Sequence, residues 1–342
     1  MTANPIAGTL VFLLGGIAAA TYLLPFRGVR GWSYETGWLV SVLSGWLVFP
    51  LVFNAIVVPE FWNVLGAAPA GTLLRSFGFG ALWGIGALCW ALMVRYLGIG
   101  LGLGIGAGLC AATGTLLPPI CTGHASDLVS TPPARMVLTG VAVALLGIVA
   151  VGIAGRLKES EMSEEAKKRA VAEFNFKKGL VTAIIAGVAS AGINFGLQGA
   201  PELEKAALAA GAAPTWAGMP VLTVVLWGGL ATQLVWSLVQ HHRNRSLGDY
   251  ILNPRPVNYL LSISVGVIGV MQFVLQKAGE PLMGDFRYVS FAVLMSSTVF
   301  LSTILGVFLG EWRGTSRRTR VLLSTGVVVL AIGFAVMALG GK

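Results

Sequence analysis

The chain has 342 residues, of which 56% are hydrophobic and only 11% charged, with a mean hydropathy of +0.81 and a net charge of +9. Soluble domains carry about a quarter charged residues, so a single water-facing core is excluded and the sequence describes an all-α integral membrane protein. Its basic residues are scattered over several loops, which fits the anionic inner leaflet and calls for no nucleic acid.

Uncharged runs occupy 1–26, 36–59, 76–94, 96–126, 136–155, 179–201, 206–242, 256–276, 288–310 and 321–341. Each is long enough for a hydrocarbon core of about 30 Å, which needs about 20 residues, so ten transmembrane helices are expected. In the longest, 206–242, Gly211 and Pro214 point to a loop ahead of the helix. Barrel strands would alternate polar and apolar residues in segments of about ten. The first run lacks a basic segment ahead of Ile6 and continues to Phe26, which reads as a span and not a cleaved signal.

In the first connection Pro25 stops a helix, Arg27 and Arg30 anchor it, and Trp32 and Trp38 read as interface residues. Glu35 fits either a helix-start carboxylate near the positive end of the dipole or a proton carrier turned into a cavity. On the third helix Trp83 and Trp90 stand seven apart on one face. Tryptophan offers a flat apolar platform to a sugar ring and an N–H to a hydroxyl; a lipid-facing or gap-filling role fits as well. The glycines of 97–108 form two helical ladders, Gly98–Gly102–Gly106 and Gly100–Gly104–Gly108, on nearly opposite sides, so neighbours can approach closely on both. No strand precedes them, which rules out a nucleotide loop.

Near mid-chain, 156–178 is a charged stretch with Glu164/Lys168 and Glu165/Arg169 at helical spacing. It divides a first five-helix repeat (1–156) from a second (179–342), with 157–178 as a cytoplasmic linker. Gly16, Ala18 and Ala20 align with Gly187, Ala189 and Ala191, and Thr139, Gly140 and Gly147 with Thr325, Gly326 and Gly333. Five helices is an odd number, so a duplicated second half is inverted, the common plan of secondary transporters. Arg156, Lys158, Lys167, Lys168, Arg169, Lys177 and Lys178 fall on one side of that topology with Arg313, Arg317, Arg318 and Arg320. The positive-inside rule then puts both termini in the periplasm.

The second half opens on Asn194 and Gln198, one helical turn apart, and later carries Gln272 and Gln276. Such amides serve either as interhelical glue or as donor–acceptor groups for a polyol. Tyr22 lies in the corresponding stretch of the first half. Candidate substrate contacts are therefore Tyr22, Trp83, Trp90, Asn194, Gln198 and Gln272. Ser296, Ser297 and Thr298 suit a polar lining, though such hydroxyls commonly bond back to their own helix. His241 and His242 read as a solvated helix end, and Cys89, Cys110 and Cys121 fit no metal or redox spacing. No cofactor is called for. A membrane enzyme would need convergent catalytic side chains at membrane depth, and the sequence offers none.

The stretches W-S-Y-E-T (32–36), W-G-I-G (83–86), R-Y-L-G (95–98), F-N-F-K-K-G-L (174–180), S-A-G (190–192), Q-F (272–273), Y-V-S-F (288–291) and E-W (311–312) occur in order along the chain. Together they resemble the L-rhamnose–proton symporters of the drug/metabolite transporter superfamily. The resemblance implies a ten-helix carrier of the bacterial inner membrane that imports a 6-deoxyhexose with protons. The chain departs from that pattern at Ala87 and Cys89, where amides are usual, and at Leu294, where a histidine can stand. An exporter or facilitator of another small metabolite fits the same fold. Proton coupling needs an ionisable group, and burial favours a carboxyl; the candidates are Glu35, Asp285 beside Arg287, and Asp127.

Overall fold

A computed structural model describes residues 4–121, 132–161, 174–283 and 290–340, and these are helical with short connections. The long helices are α1 (Pro5–Thr21), α2 (Tyr34–Val57), α3 (Ala70–Leu97), α4 (Ile99–Cys121), α5 (Pro132–Glu161), α6 (Phe176–Gln198), α7 (Met219–Asn244), α8 (Pro256–Gly279), α9 (Ser290–Phe308) and α10 (Arg317–Gly340). Among the described residues, seven segments are long and apolar enough to cross a membrane: Ile6–Gly28, Tyr34–Val57, Ala70–Leu97, Leu138–Lys158, Phe176–Gln198, Met219–Asn244 and Pro256–Met283. The protein is thus an integral membrane protein. The candidates Asp127 and Asp285, with Arg287 and most of the charged linker, lie outside the described residues.

Local chemistry sets the helix ends. Asn4 caps α1, its side chain accepting from Ala7 N–H at 3.1 Å, and Asn175 caps α6 by accepting from Lys178 N–H at 2.9 Å. α2 contains Pro50, which has no N–H to give the preceding turn; the π-helical turn at Ser44–Val48 accommodates it. As 206–242 suggested, α7 begins only at Met219, after a short helix Pro201–Ala209 and a loop.

The packing comes in matched pairs. α3 packs on α6 as α1 packs on α8; α3 packs on α7 as α8 packs on α2; α4 packs on α6 as α9 packs on α1. α5 and α10 pack on each other, as do α4 and α9. Glycine allows the closest crossings. A Cβ at Gly16 would sit 2.4 Å from Ser297 Cβ, and one at Gly187 would sit 2.4 Å from Leu109 Cβ. One at Gly80 would lie 2.0 Å from the Val225 carbonyl oxygen, and one at Gly266 would lie 2.0 Å from that of Ser41. The two glycine ladders of α4 serve different neighbours, as their spacing predicted: Gly102 and Gly106 approach Met93 of α3, while Gly104 and Gly108 approach Val151 and Ile148 of α5.

The two ends of the bundle are sealed differently. At one, the helix Phe61–Ala67 meets Pro201–Ala209 through the buried apolar side chains Phe61, Val64, Leu65, Leu203 and Ala207, and Glu204 of the latter helix pairs with buried Lys277 of α8 at 2.6 Å. At the other, the α1–α2 and α7–α8 connections meet through hydrogen bonds. Trp32 Nε1 donates to the Asn253 carbonyl at 2.9 Å, and Asn258 Nδ2 donates to the Arg30 carbonyl at 2.8 Å. Asp249 accepts from the Ser33 N–H and the Thr36 hydroxyl, each at 2.8 Å.

Candidate functional site

Between these ends lies a cavity with an empty volume of about 700 Å³, counted with the open space it joins. Both halves of the chain line it. Tyr22 comes from the residue after α1, Trp38, Ser41 and Trp46 from α2, and Trp83, Ala87 and Trp90 from α3. From the second half come Ser190 and Ile193 of α6, Gly269, Gln272 and Phe273 of α8, and Phe291 and Met295 of α9.

The aromatic walls are fixed by their neighbours. Trp83 packs against Trp46 with ring centroids 4.6 Å apart, and against the edge of Phe273 at 5.3 Å and 90°. Gly229 of α7 leaves the room both indoles occupy, since a Cβ there would press on each. Gly269 does the same for Tyr22, whose ring a Cβ would meet at 3.1 Å. The Trp38 indole N–H donates to Gln233 Oε1 at 2.7 Å, and the Gln233 amide N–H in turn donates to the Gly84 carbonyl. Trp38 therefore faces the cavity with its ring edge while its N–H ties α2 to α7.

Polar groups on this surface are few. Gln272 uses one amide N–H on the Gly269 carbonyl at 2.9 Å, which leaves its second N–H and its Oε1 for a ligand. The Ser41 hydroxyl bonds back to the Gly37 carbonyl at 2.8 Å. The result is an aromatic chamber with a small number of donors and acceptors, suited to a ligand with one apolar face and several hydroxyls.

Of the substrate contacts expected from sequence, Tyr22, Trp83, Trp90 and Gln272 come together here. Asn194 is buried on α6 beside Ile193 but is not among the lining residues, and Gln198 is the exposed last residue of α6. Trp38, expected at the interface, is instead 3% exposed and part of the wall. The signal available was its place on one helix with Trp46; its burial comes from α7, whose Gln233 accepts its N–H.

Glu35 lies at the polar seal, 4% exposed, where its carboxylate accepts from the Asn244 amide at 2.9 Å and the Ser246 hydroxyl at 2.6 Å. It is a helix-start carboxylate, as one sequence reading had it, but it also bonds the α7–α8 side. His241, expected to be solvated, is buried at 1% exposure, while His242 is exposed. Asp249 lies outside the spans. Burial pushes its carboxyl up, but the Ser33 N–H, the Thr36 and Ser33 hydroxyls and the charge of His241 outweigh this and hold it below the usual value. A second buried acid escaped the sequence reading. Glu311 is fully buried between α9 and α10, accepts from the Ile99 N–H at the start of α4 at 2.9 Å, and stands 3.7 Å from Arg27. Among the described residues no group of His, Cys, Asp and Glu has the makings of a metal site.

A model of the family described as L-rhamnose-proton symport protein (RhaT) matches residues 1–342. An L-rhamnose-proton symporter of Cronobacter sakazakii is 37% identical over 340 residues, covering 97% of each chain. One of Escherichia coli is 36% identical over 339 residues with the same coverage. A crystal structure 16% identical to this chain, covering 98% of both, superposes with a TM-score of 0.55, a likeness of fold alone. Whole-length agreement in sequence means that this chain belongs to the L-rhamnose-proton symport protein family.

Proposed function

We propose that the protein imports L-rhamnose with protons across the bacterial inner membrane by alternating access. It is a carrier and not an enzyme, in keeping with the family. The observation that carries this is the central aromatic chamber, to which both halves of the chain contribute. The sugar ring lies against Trp83, Trp90 and Tyr22, its hydroxyls bond Gln272, and the methyl group of the deoxysugar fills the apolar niche of Phe273, Phe291 and Met295. Asn194 and Gln198 contact the sugar on its way in, Gln198 from the exposed end of α6.

The ten long helices are proposed to be ten spans forming two inverted five-helix repeats, the plan of the drug/metabolite transporter superfamily, with both termini periplasmic. Several correspondences support the duplication. The glycine pair Gly16 and Gly187, aligned in sequence, makes the same kind of contact with α9 and α4. A Cβ at Gly147 would meet Leu330 and the Gly326 carbonyl, while one at Gly333 would meet Ala144 and the Gly140 carbonyl, a reciprocal contact. The first helix of each half is capped by an asparagine. The described non-glycine residues with positive φ, Glu60 (53°) and Arg245 (52°), fall in the second connection of each half.

Proton carriage is assigned to Glu35, Asp285 and Asp127. The test is uptake of labelled rhamnose into proteoliposomes under an imposed pH gradient, with competing sugars. The expected outcome is saturable accumulation that collapses with the gradient. Uptake without pH dependence refutes symport and keeps the sugar; no uptake of any deoxysugar refutes both. Retained gradient-driven accumulation in E35Q combined with D285N removes those two acids from the mechanism.

A further inference from the structure

The polar seal contains a hydrogen-bonded chain whose donors and acceptors can be assigned. Tyr250 has one hydroxyl proton and donates it to the Thr36 carbonyl at 3.2 Å. His241 Nε2 stands 3.1 Å from the same oxygen, so it supplies the N–H of that contact while Tyr250 serves Thr36, and accepts the Tyr250 proton when that hydroxyl turns to it. At the other side of the ring, Nδ1 stands 2.8 Å from Ser246 Oγ. Ser246 gives its proton to Glu35 Oε1 at 2.6 Å, so Nδ1 must supply an N–H as well. With these donors the chain is complete with an imidazolium opposite a carboxylate.

One other filling completes it. With the proton on Glu35, the carboxyl donates to Ser246 Oγ, Ser246 donates to His241 Nδ1, and Nε2–H still donates to Tyr250. The two fillings hold the same number of protons. They interconvert when the Glu35 proton moves to Ser246 Oγ while the Ser246 proton moves to Nδ1, turning a neutral pair into carboxylate and imidazolium. Remove one proton and a carboxylate faces a neutral imidazole: Nδ1–H then donates to Ser246, Ser246 donates to Glu35, and Nε2 is satisfied only when Tyr250 turns its proton to it and gives up the Thr36 carbonyl.

We infer that Glu35, Ser246 and His241 form a proton-loading relay, with Ser246 as the bridge, that leaves Tyr250 bonded to the α2 backbone when it holds the transported proton and draws Tyr250 off it when the proton has been released. This rests on the proton-coupled reading above. Glu35 also borders a crevice with Arg95, Tyr96, Gln240 and Asn244, which gives protons a way in. The charges acting on the ring are Glu35 and Asp249; Arg95 faces the crevice from α3, and Tyr259 of α8 donates to the Tyr250 carbonyl at 3.4 Å. Arg243 and Arg245 are exposed to water. The relay joins α2 to the end of α7, and α2 carries Trp38, Ser41 and Trp46 to the sugar chamber. Loading therefore tightens the same pair of helices that α7 holds through Gln233 and Trp38.

The test compares S246A, S246T and H241N with the parent in proteoliposomes, measuring both pH-gradient-driven rhamnose accumulation and sugar-for-sugar exchange at equal pH. S246A removes no titratable group, so a structural role alone would lower both activities together. The relay predicts that S246A and H241N lose accumulation above equilibrium far more than they lose exchange, and that S246T restores it. Undiminished accumulation in S246A overturns the relay. Absence of gradient-driven accumulation in the parent refutes the symport reading instead. Should S246A lose both activities, histidine ¹⁵N resonances of the parent, assigned by their loss in H241N, decide. Two protonated ring nitrogens at the pH of activity that change on E35Q support the relay, and a ring indifferent to E35Q overturns it.

Discussion

At the scale of single residues, the chamber depends on side chains that do one thing each. Gln272 is a polar group with bonding capacity left over, so Q272L should weaken rhamnose binding by about 1 kcal/mol, roughly fivefold in Kd, as expected for one lost hydrogen bond. Tryptophan-fluorescence titration checks this, and an unchanged affinity removes Gln272 from the site. Trp83 shares its faces with Trp46 and Phe273, so W83F should retain more binding than W83A in the same titration. Asp249 gives a pH dependence with a definite sign. Its folded value lies below the ordinary 3.8, so its contribution is fully present above 3.8 and is lost as the pH falls through the folded value. Thermal unfolding in detergent should therefore show D249N flattening the acid side of the stability profile, below about pH 4.

These residues were unequally legible. Trp83, Trp90, Tyr22 and Gln272 stand out because aromatic and amide groups are conspicuous in an apolar run. Trp38 and His241 were misjudged because each sits near charged loop residues, and sequence neighbours suggest water. What buries them comes from elsewhere in the chain: Gln233 of α7 reaches Trp38 across 195 positions, and Ser246 reaches Glu35 across 211. Burial at a membrane end is a property of paired connections, which a single pass along the chain does not see.

At the scale of elements, glycine decides which helices can cross. Gly266 and Gly80 hold their crossings against backbone carbonyls that cannot swing aside, so G266A and G80A should each cost about 1–3 kcal/mol or more through overpacking. Gly66 and Gly71 have open space where a Cβ would go, and alanine there should leave the monodisperse fraction in size-exclusion chromatography unchanged. Equal behaviour of all four variants would mean that the crossings are not tightly packed. The glycine ladders of α4 were readable from spacing alone because close helix approach needs only a periodicity of small residues. Which neighbour each ladder meets was not readable, since that is set by the bundle.

At the scale of the molecule, the two halves share first-helix caps, crossings and left-handed connection residues despite weak sequence likeness. Membrane helices meet mainly through small residues, so the proposed duplication would be preserved in the spacing of glycines after other side chains diverge. The proposed orientation, with both termini periplasmic, rests on arginine and lysine placement. Alkaline phosphatase joined after Lys342 should be active, and joined within 157–178 inactive; the reverse pattern would invert the topology.

The unlike seals at the two ends have a thermal consequence. Parting Phe61, Val64 and Leu65 from Leu203 and Ala207 wets apolar surface and so raises heat capacity, whereas parting the Glu35, Ser246 and Asp249 contacts exposes polar groups, which lowers it. Under the proposed alternating access the two openings then respond differently to temperature: cooling weakens the apolar contacts selectively, so the side to which the carrier faces at rest should shift with temperature.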